Sequence, residues 1–307
     1  MASTGLTVVA LGGNALLRKG ERGTAAEQRA NLADTFAAVA DVLRGGPVVV
    51  THGNGPQVGN ELLRHELGAK EAPPLPLYVA VAQTQAEIGA LAVSELPQVT
   101  GRPAVVVLTR VAVAADDPAF ENPTKPIGPF YDEAEAKELE ADRGWALRED
   151  AGRGWRRVVP SPRPLEVLEL ESIRVLAAGG ASVVAVGGGG IPVVARNGRH
   201  DGVDAVIDKD HASALLAEGL GATRLLILTQ VPTVYRGFGT PEQEALAELV
   251  PGRDADLVPE LPAGSMRPKV ESAFRFVERT GGEALITSAE GIRDGLPGTR
   301  IVSEPGS

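Results

Sequence analysis

The chain has 307 residues, 43% of them hydrophobic and 23% charged, which is ordinary globular sequence with enough apolar side chain to bury a large core. Its formal net charge of −10 argues against non-specific attraction to nucleic acid or to an anionic membrane, so a polyanionic ligand has to find local positive charge. The absence of cysteine excludes disulfides, thiolate metal sites and a cysteine nucleophile, and His52, His65, His200 and His211 lack the spacing of a zinc site. No basic segment precedes the first apolar run and no later stretch has the length to span a bilayer, so the expected location is the cytoplasm.

In chain order, Leu6 to Leu11 is short, apolar and β-branched, which predicts a buried strand ending at Gly12 and Gly13. Apolar residues then recur at helical spacing from Ala25 to Leu43, and Gly45-Gly46-Pro47 closes that segment. The pattern repeats with a strand over Pro47 to Val50, a polar glycine loop over Thr51 to Gly55, and a helix over Val58 to Leu67. Tyr78 to Leu96 reads as a further helix whose alanine-rich face, near Gln83 and Gln85, is fitted for packing or dimer contact rather than catalysis. Ala104 to Leu108, Ser182 to Val186, Thr223 to Leu228 and Ala284 to Thr287 supply more short strands. This alternation predicts a mostly parallel sheet covered by helices on both faces. Asp116 to Arg157 interrupts it with prolines, both tryptophans and many charges, and reads as an inserted lobe.

Three glycine-rich loops follow predicted strands. Leu11-Gly12-Gly13-Asn14 and Thr51-His52-Gly53-Asn54-Gly55 each allow backbone N–H groups to approach a ligand, although either alone is no more than a turn. Gly187 to Gly190 places four glycines in succession after a strand, which costs more backbone entropy than a turn needs and points to ligand contact. In a parallel sheet such loops gather at the strand C-termini, beside helix N-termini that favour anions. Together they indicate phosphate binding.

Three lysines stand in compact contexts: Lys125 in Thr-Lys-Pro-Ile-Gly-Pro, Lys209 in Ile-Asp-Lys-Asp, and Lys269 in Met-Arg-Pro-Lys. Most lysines, Lys137 among them, are solvated surface charges. An acidic protein that brings a nucleoside triphosphate beside an anionic acceptor nevertheless needs local cations, and phosphoryl transfer consists mainly of positioning and charge stabilisation. Asp208 and Asp210 precede a helix over Ala212 to Glu218, where they read as cap and first-turn acid, able besides to orient neighbouring lysines or to hold a magnesium-bound water. Asp204 is a weaker candidate. Ser265 reads as the cap of a last amphipathic helix carrying Val270, Phe274 and Val277.

Taken together, Ala-Leu-Gly-Gly-Asn-Ala-Leu at 10–16, Thr-His-Gly-Asn-Gly-Pro-Gln-Val-Gly at 51–59 and Lys-Pro-Ile-Gly-Pro-Phe-Tyr at 125–131 resemble the carbamate kinases of the amino acid kinase superfamily. Val-Val-Pro-Ser-Pro-Arg-Pro at 158–164, Gly-Gly-Gly-Gly-Ile-Pro-Val at 187–193, Val-Asp-Ala-Val-Ile-Asp-Lys-Asp at 203–210 and Ser-Met-Arg-Pro-Lys-Val at 265–270 follow in the family's order. The resemblance implies an α/β fold, a three-layer αβα sandwich around a mainly parallel eight-stranded sheet with a small protruding lobe. It implies one domain over 1–307, with an acceptor side over about 1–180 carrying the lobe at about 116–157, and a nucleotide side over about 181–307.

The activity it implies is reversible phosphoryl transfer between ATP and carbamate, giving ADP and carbamoyl phosphate with Mg2+, in a homodimer that serves arginine breakdown. By the same resemblance Lys125, Lys209, Lys269 and Asp208 are catalytic, and Gly12, Gly13, Asn14, Gly53, Asn54, Gly55, Gly188 and Gly189 hold the acceptor and the transferring phosphate. Thr229, Val231, Tyr235, Met266 and Arg267 contact the nucleotide, and no residue is assigned as a metal ligand. Two departures from the family pattern stand out. Thr229-Gln230-Val231-Pro232 lacks the two carboxylates common after this strand, and Arg267 replaces a common glycine. Two other functions fit the scaffold: an acylphosphate-forming kinase acting on another carboxylate such as an acetylated amino acid, or a nucleotide- or metabolite-binding regulator that has lost catalysis.

Overall fold

A computed structural model describes residues 5–149 and 154–304; of the expected lobe, residues 150–153 lie outside the described residues. The central sheet has eight strands in the order Glu248–Leu249, Thr299–Ile301, Glu283–Thr287, Arg224–Leu228, Thr7–Leu11, Val48–His52, Ser182–Val184 and Ala104–Val106. All neighbours are parallel except Glu283–Thr287 and Thr299–Ile301. Alternation along the first strand explains the layers: Val8 and Ala10 enter one apolar cluster and Val9 and Leu11 the other, all four at most 1% exposed. Helices Leu170–Ala178, Lys209–Leu220 and Met266–Thr280 contribute to the first cluster, and Ala25–Ala38 and Leu77–Thr100 to the second. The result is the expected three-layer sandwich. Among the described residues, no helix is long and apolar enough to cross a membrane.

Several elements depart from the sequence reading. The helix expected over Ala25 to Leu43 is two helices, Ala25–Ala38 and Ala40–Arg44, broken at Val39, and both pieces bury side chains in the same cluster. The strand expected over Ser182 to Val186 stops at Val184, because Val186 has a left-handed backbone with φ of 52°. A β-branched residue is strained there. The Val186 N–H donates to Thr109 Oγ1 at 3.0 Å, which helps hold the turn. The edge strand stops at Val106, and Arg110–Val113 continues into a separate four-stranded sheet with Pro164–Val167, Ile191–Arg196 and Arg199–Gly202.

The lobe has its own sheet of Lys125–Tyr131, Trp155–Val159 and Leu147–Glu149, with helix Glu133–Arg143 beside it. It docks on helix Gly55–Leu67 through a backbone contact, since a Cβ on Gly59 would stand 2.4 Å from Gly128 Cα. Side chains at that point would force the two segments apart. The helix that begins at the second glycine loop is therefore seated directly against the strand that begins at Lys125.

His52 ends the second strand, buried, with its Nδ1–H donating to Gly53 O at 2.9 Å. Burial pushes its pKa down to about 4, the nearby Lys209 charge adding to that and the Gly53 bond opposing it. In the window between about pH 6.5 and 4 the unfolded chain therefore binds a proton that the folded chain excludes, so stability falls as pH drops. We expect unfolding free energy to decrease by about 2 kcal/mol from pH 7 to 5 on account of this residue. Denaturant titrations of the parent and His52→Gln should show a smaller pH dependence in the variant; equal dependences would contradict the assignment.

Candidate active site

The C-terminal ends of Thr7–Leu11, Val48–His52, Ser182–Val184 and Arg224–Leu228 face the same side of the sheet, because these strands are parallel neighbours. The three glycine loops and Thr229 lie there. Gly12 is needed for close packing, since a Cβ would stand 2.5 Å from Leu228 O, whereas Gly13 and Gly55 have no atom within 4 Å of the equivalent position. Those two open positions let a ligand approach the backbone. Gly53 lies under Lys209, whose Cδ would be 3.3 Å from an added Cβ.

The run of four glycines has a different cause from the one expected. Added Cβ atoms would meet His52 Nε2 at 2.4 Å, Asn54 Nδ2 at 2.3 Å, Ile207 O at 2.3 Å and Val111 Cγ2 at 2.2 Å, from Gly187 to Gly190 in turn. Gly188, Gly189 and Gly190 also have positive φ. Packing accounts for the run, and Gly188 and Gly189 are buried. Asn54, the neighbour of Gly188, is buried too, with Nδ2 donating to Thr84 Oγ1 at 2.8 Å. Gln85 fixes the loop from the other side, donating to Gly187 O at 2.9 Å and Thr109 O at 3.1 Å and accepting from Thr109 N–H.

All three singled-out lysines meet at two carboxylates. Lys209 Nζ and Lys269 Nζ pair with the two oxygens of Asp210 at 2.5 and 2.9 Å, and Lys125 Nζ pairs with Asp208 Oδ2 at 2.8 Å. Asp208 also caps helix Lys209–Leu220, its other oxygen accepting the Asp210 N–H at 2.9 Å. The carboxylates thus cap the helix and organise the cations at once. Ser213 Oγ donates to Lys209 O and is 2.6 Å from Thr51 Oγ1, tying this first turn to the end of the second strand. Lys269 occupies the first turn of Met266–Thr280 and donates to Ser265 O at 3.2 Å; the Ser265 side chain makes no capping bond.

Burial and pairing act against each other in this cluster. Burial raises the carboxyl pKa of Asp210, but Lys209 and Lys269 outweigh it and hold the group below the usual carboxylate range. For Asp208, burial is likewise overcome, chiefly by Lys125. Lys209 is pushed below the ordinary lysine value by burial, with Lys269 adding to the effect, while Lys269 is lifted above it by Asp210 against its own burial. Three ammoniums stand against two carboxylates, which leaves the cluster with one positive charge in excess.

A cleft of about 310 Å³ opens beside Lys269, bounded by Gly12 and Gly13 on one side and by Thr229, Val231, Tyr235 and Met266 on the other. Phe238 and Leu261 complete an apolar wall, with the Tyr235 and Phe238 rings 5.7 Å apart. Four of the five expected nucleotide contacts therefore lie together. Arg267 is the exception: its guanidinium donates to the carbonyls of Val258, Leu261 and Pro259 and faces a second groove. Gln230 Nε2 donates to Asn14 Oδ1 at 2.8 Å, bridging the first glycine loop to the segment after strand Arg224–Leu228, and Pro232 packs near Gly291. Among the described residues, no group of three or more His, Cys, Asp and Glu is arranged to hold a metal ion.

Sequence reading treated Asp210 only as a companion of Asp208 and passed over Thr51, Ser213 and Phe238. Flanking of a lysine by two aspartates was the available signal for Asp210. The others become site residues only through contacts made across the fold.

A sequence model described as the amino acid kinase family matches residues 5–288. The carbamate kinase of Halobacterium salinarum is 47% identical over 302 residues, covering 96% of this chain and 98% of its own. That of Thermococcus kodakarensis is 44% identical, covering 97% and 99%. Among solved structures, carbamate kinase from Giardia lamblia bound to AMP-PNP superimposes with a TM-score of 0.89 at 41% identity, over 99% of this chain and 100% of that one.

The cluster leads to a direct expectation. Lys209→Ala removes a buried cation and leaves half of Asp210 unpaired, whereas Lys137, exposed and paired with Glu133, lies away from the lysine and aspartate cluster. Phosphoryl-transfer turnover should fall by about 100-fold or more for Lys209→Ala and stay unchanged for Lys137→Ala. Equal effects in steady-state assays would remove Lys209 from the site.

Proposed function

The chain belongs to the amino acid kinase family, among its carbamate kinases, and from that premise we propose that the lysine and aspartate cluster is its phosphoryl-transfer centre. The enzyme is an ATP-dependent phosphotransferase acting between nucleotide and carbamate. One observation carries the residue assignment: Asp210, 3% exposed, holds Lys209 and Lys269 on its two oxygens, and Lys269 lines the same cleft as the open backbone of Gly13.

In this reading the adenine and ribose lie in the cleft of Tyr235, Phe238, Val231 and Met266, with the phosphates running toward Lys269 and the first glycine loop. A carbamate oxygen attacks the γ-phosphorus, the bond from that phosphorus to the β,γ-bridging oxygen breaks, and ADP leaves with the electron pair. Carbamate is already an anion, so no general base has to remove a proton. The demand is instead to stabilise charge on the transferring group and the leaving oxygen. Each lysine ammonium has three donors, so Lys209 and Lys269 can keep Asp210 and still bind phosphate oxygens. The Gly55–Leu67 helix N-terminus adds partial positive charge, and Lys125, held by Asp208, brings a third cation from the lobe.

Magnesium belongs to the substrate in this scheme. Both oxygens of Asp210 are engaged by lysines, and those of Asp208 by Lys125 and a backbone N–H, so the carboxylates present do not form a protein cage for the ion. The donor set suits a magnesium carried in on the nucleotide phosphates. Resemblance to the family supports a homodimer, a cytoplasmic location and a place in arginine metabolism, on an acceptor side over about 1–180 and a nucleotide side over about 181–307.

The reading in which Gln230, Pro232 and Arg267 abolish catalysis finds no support in their positions. Arg267 is turned away, Gln230 bonds Asn14, and the cleft between them is open. Assayed with magnesium, ADP and carbamoyl phosphate, the protein should form ATP at about 1–100 per second. A folded sample without turnover above background would contradict the proposal, and phosphorylation of an amino acid but not carbamate would move it to another acceptor.

A further inference from the structure

Five of the residues that line the nucleotide cleft, Leu261, Pro262, Gly264, Ser265 and Met266, belong to one stretch of six positions. That stretch joins a 3-10 helix over Ala255–Glu260 to helix Met266–Thr280. Its flanks are anchored in the apolar core, by Leu257 and Leu261 before it and Val270 after it. Between them Pro262, Ala263, Gly264 and Ser265 are exposed and belong to no helix or strand. A segment with so little apolar burial of its own keeps one shape only if its backbone polar groups are held.

Those groups converge on Arg267. Its Nε donates to Val258 O and Leu261 O, each at 3.1 Å, and its Nη2 to Pro259 O at 2.6 Å. Carbonyls at the end of a helical turn are short of partners and carry partial negative charge, and a guanidinium meets both needs, as a planar fork of donors and as a cation. The backbone N–H of Arg267 donates to Pro262 O at 3.1 Å, beside that of Ser265 at 3.2 Å. One residue thus gathers the carbonyls of Val258, Pro259, Leu261 and Pro262. Lys269 ties the far end, donating to Ser265 O at 3.2 Å while it holds Asp210. The wall is stitched between Arg267 and the lysine cluster.

We propose that Arg267 is a positioning residue for the nucleotide: by gathering these carbonyls it fixes the cleft wall in the shape that receives base and ribose, and so sets nucleotide affinity without touching the nucleotide. The inference rests on this cleft being the nucleotide's site. A wall ordered before binding spares the complex the entropic cost of ordering it. Without the guanidinium, water can satisfy the carbonyls, so the fold survives while the wall loses its single shape. A long-range effect of the Arg267 charge on the phosphates would survive replacement by lysine. Pinning would not, because an ammonium is a point charge on a flexible stem and lacks the planar fork.

The test is calorimetric titration of ADP into the parent, Arg267→Ala and Arg267→Lys, with melting curves as the check on folding, beside steady-state ATP formation from carbamoyl phosphate and ADP. Alanine and lysine both suit the first turn of a helix. Arg267→Ala should weaken ADP binding and raise the KM for ADP about ten-fold, with kcat and the KM for carbamoyl phosphate within about two-fold of the parent. Arg267→Lys should fall between the two. Unchanged ADP affinity in folded Arg267→Ala, full recovery in Arg267→Lys, or an equal loss for carbamoyl phosphate overturns the positioning role. A parent that binds ADP but forms no ATP contradicts the transfer centre, and the calorimetric comparison still decides the role of Arg267. A parent that does not bind ADP overturns the cleft and the role with it.

Discussion

The buried carboxylate of Asp210, shared between Lys209 and Lys269, is the constraint to which the surrounding architecture answers. An unpaired buried ion costs several kcal/mol, so neither lysine can be held under cover without this partner, nor Asp210 without them. Pairing fixes the distance between helices Lys209–Leu220 and Met266–Thr280, each of which carries one lysine in its first turn. The Asp210 charge also opposes the burial that lowers the pKa of both lysines. Asp208 repeats the arrangement one step away, capping the same helix while holding Lys125 from the lobe.

Everything else near the site serves placement. The parallel sheet delivers strand ends to one side, and glycine at Gly12, Gly59 and Gly187 to Gly190 allows backbones and side chains to approach closer than a Cβ permits. Gln85 and Thr109 hold the strained turn at Val186, so the loop beside Asn54 has little freedom. The Gly59 and Gly128 contact matters for Lys125, because it seats the lobe on the helix that starts at the second glycine loop. The outcome is a cluster of three lysines and two aspartates beside a mostly apolar cleft.

Much of this was legible in the amino-acid sequence. Short apolar, β-branched runs such as Thr7–Leu11 and the glycines that follow them identify the parallel strands and their loops, since both signals are local. Lys125, Lys209 and Lys269 stood out by context, and the resemblance tied them to one centre. The small second sheet escaped notice because Arg110–Val113 and Pro164–Val167 are short and mix charge with apolar residues. The reason for the glycine run was misjudged for a related cause: its neighbours, Asn54, His52, Ile207 and Val111, come from elsewhere in the chain. Arg267 was assigned to the nucleotide by position in its motif, yet the carbonyls of Val258, Pro259 and Leu261 capture it. Contacts of that kind are set by tertiary packing and leave no mark in spacing.

The central claim, that Asp210 keeps two lysines charged and placed for transfer, is tested most directly by the pH profile of kcat for Asp210→Asn, with its melting curve as the check on folding. Asparagine preserves shape while removing the charge that raises the pKa of both lysines. The account predicts a fall in kcat of about 100-fold or more, with the alkaline limb moved to lower pH. A folded variant whose kcat stays within about three-fold of the parent, a loss of under 1 kcal/mol, with an unmoved alkaline limb, would contradict it.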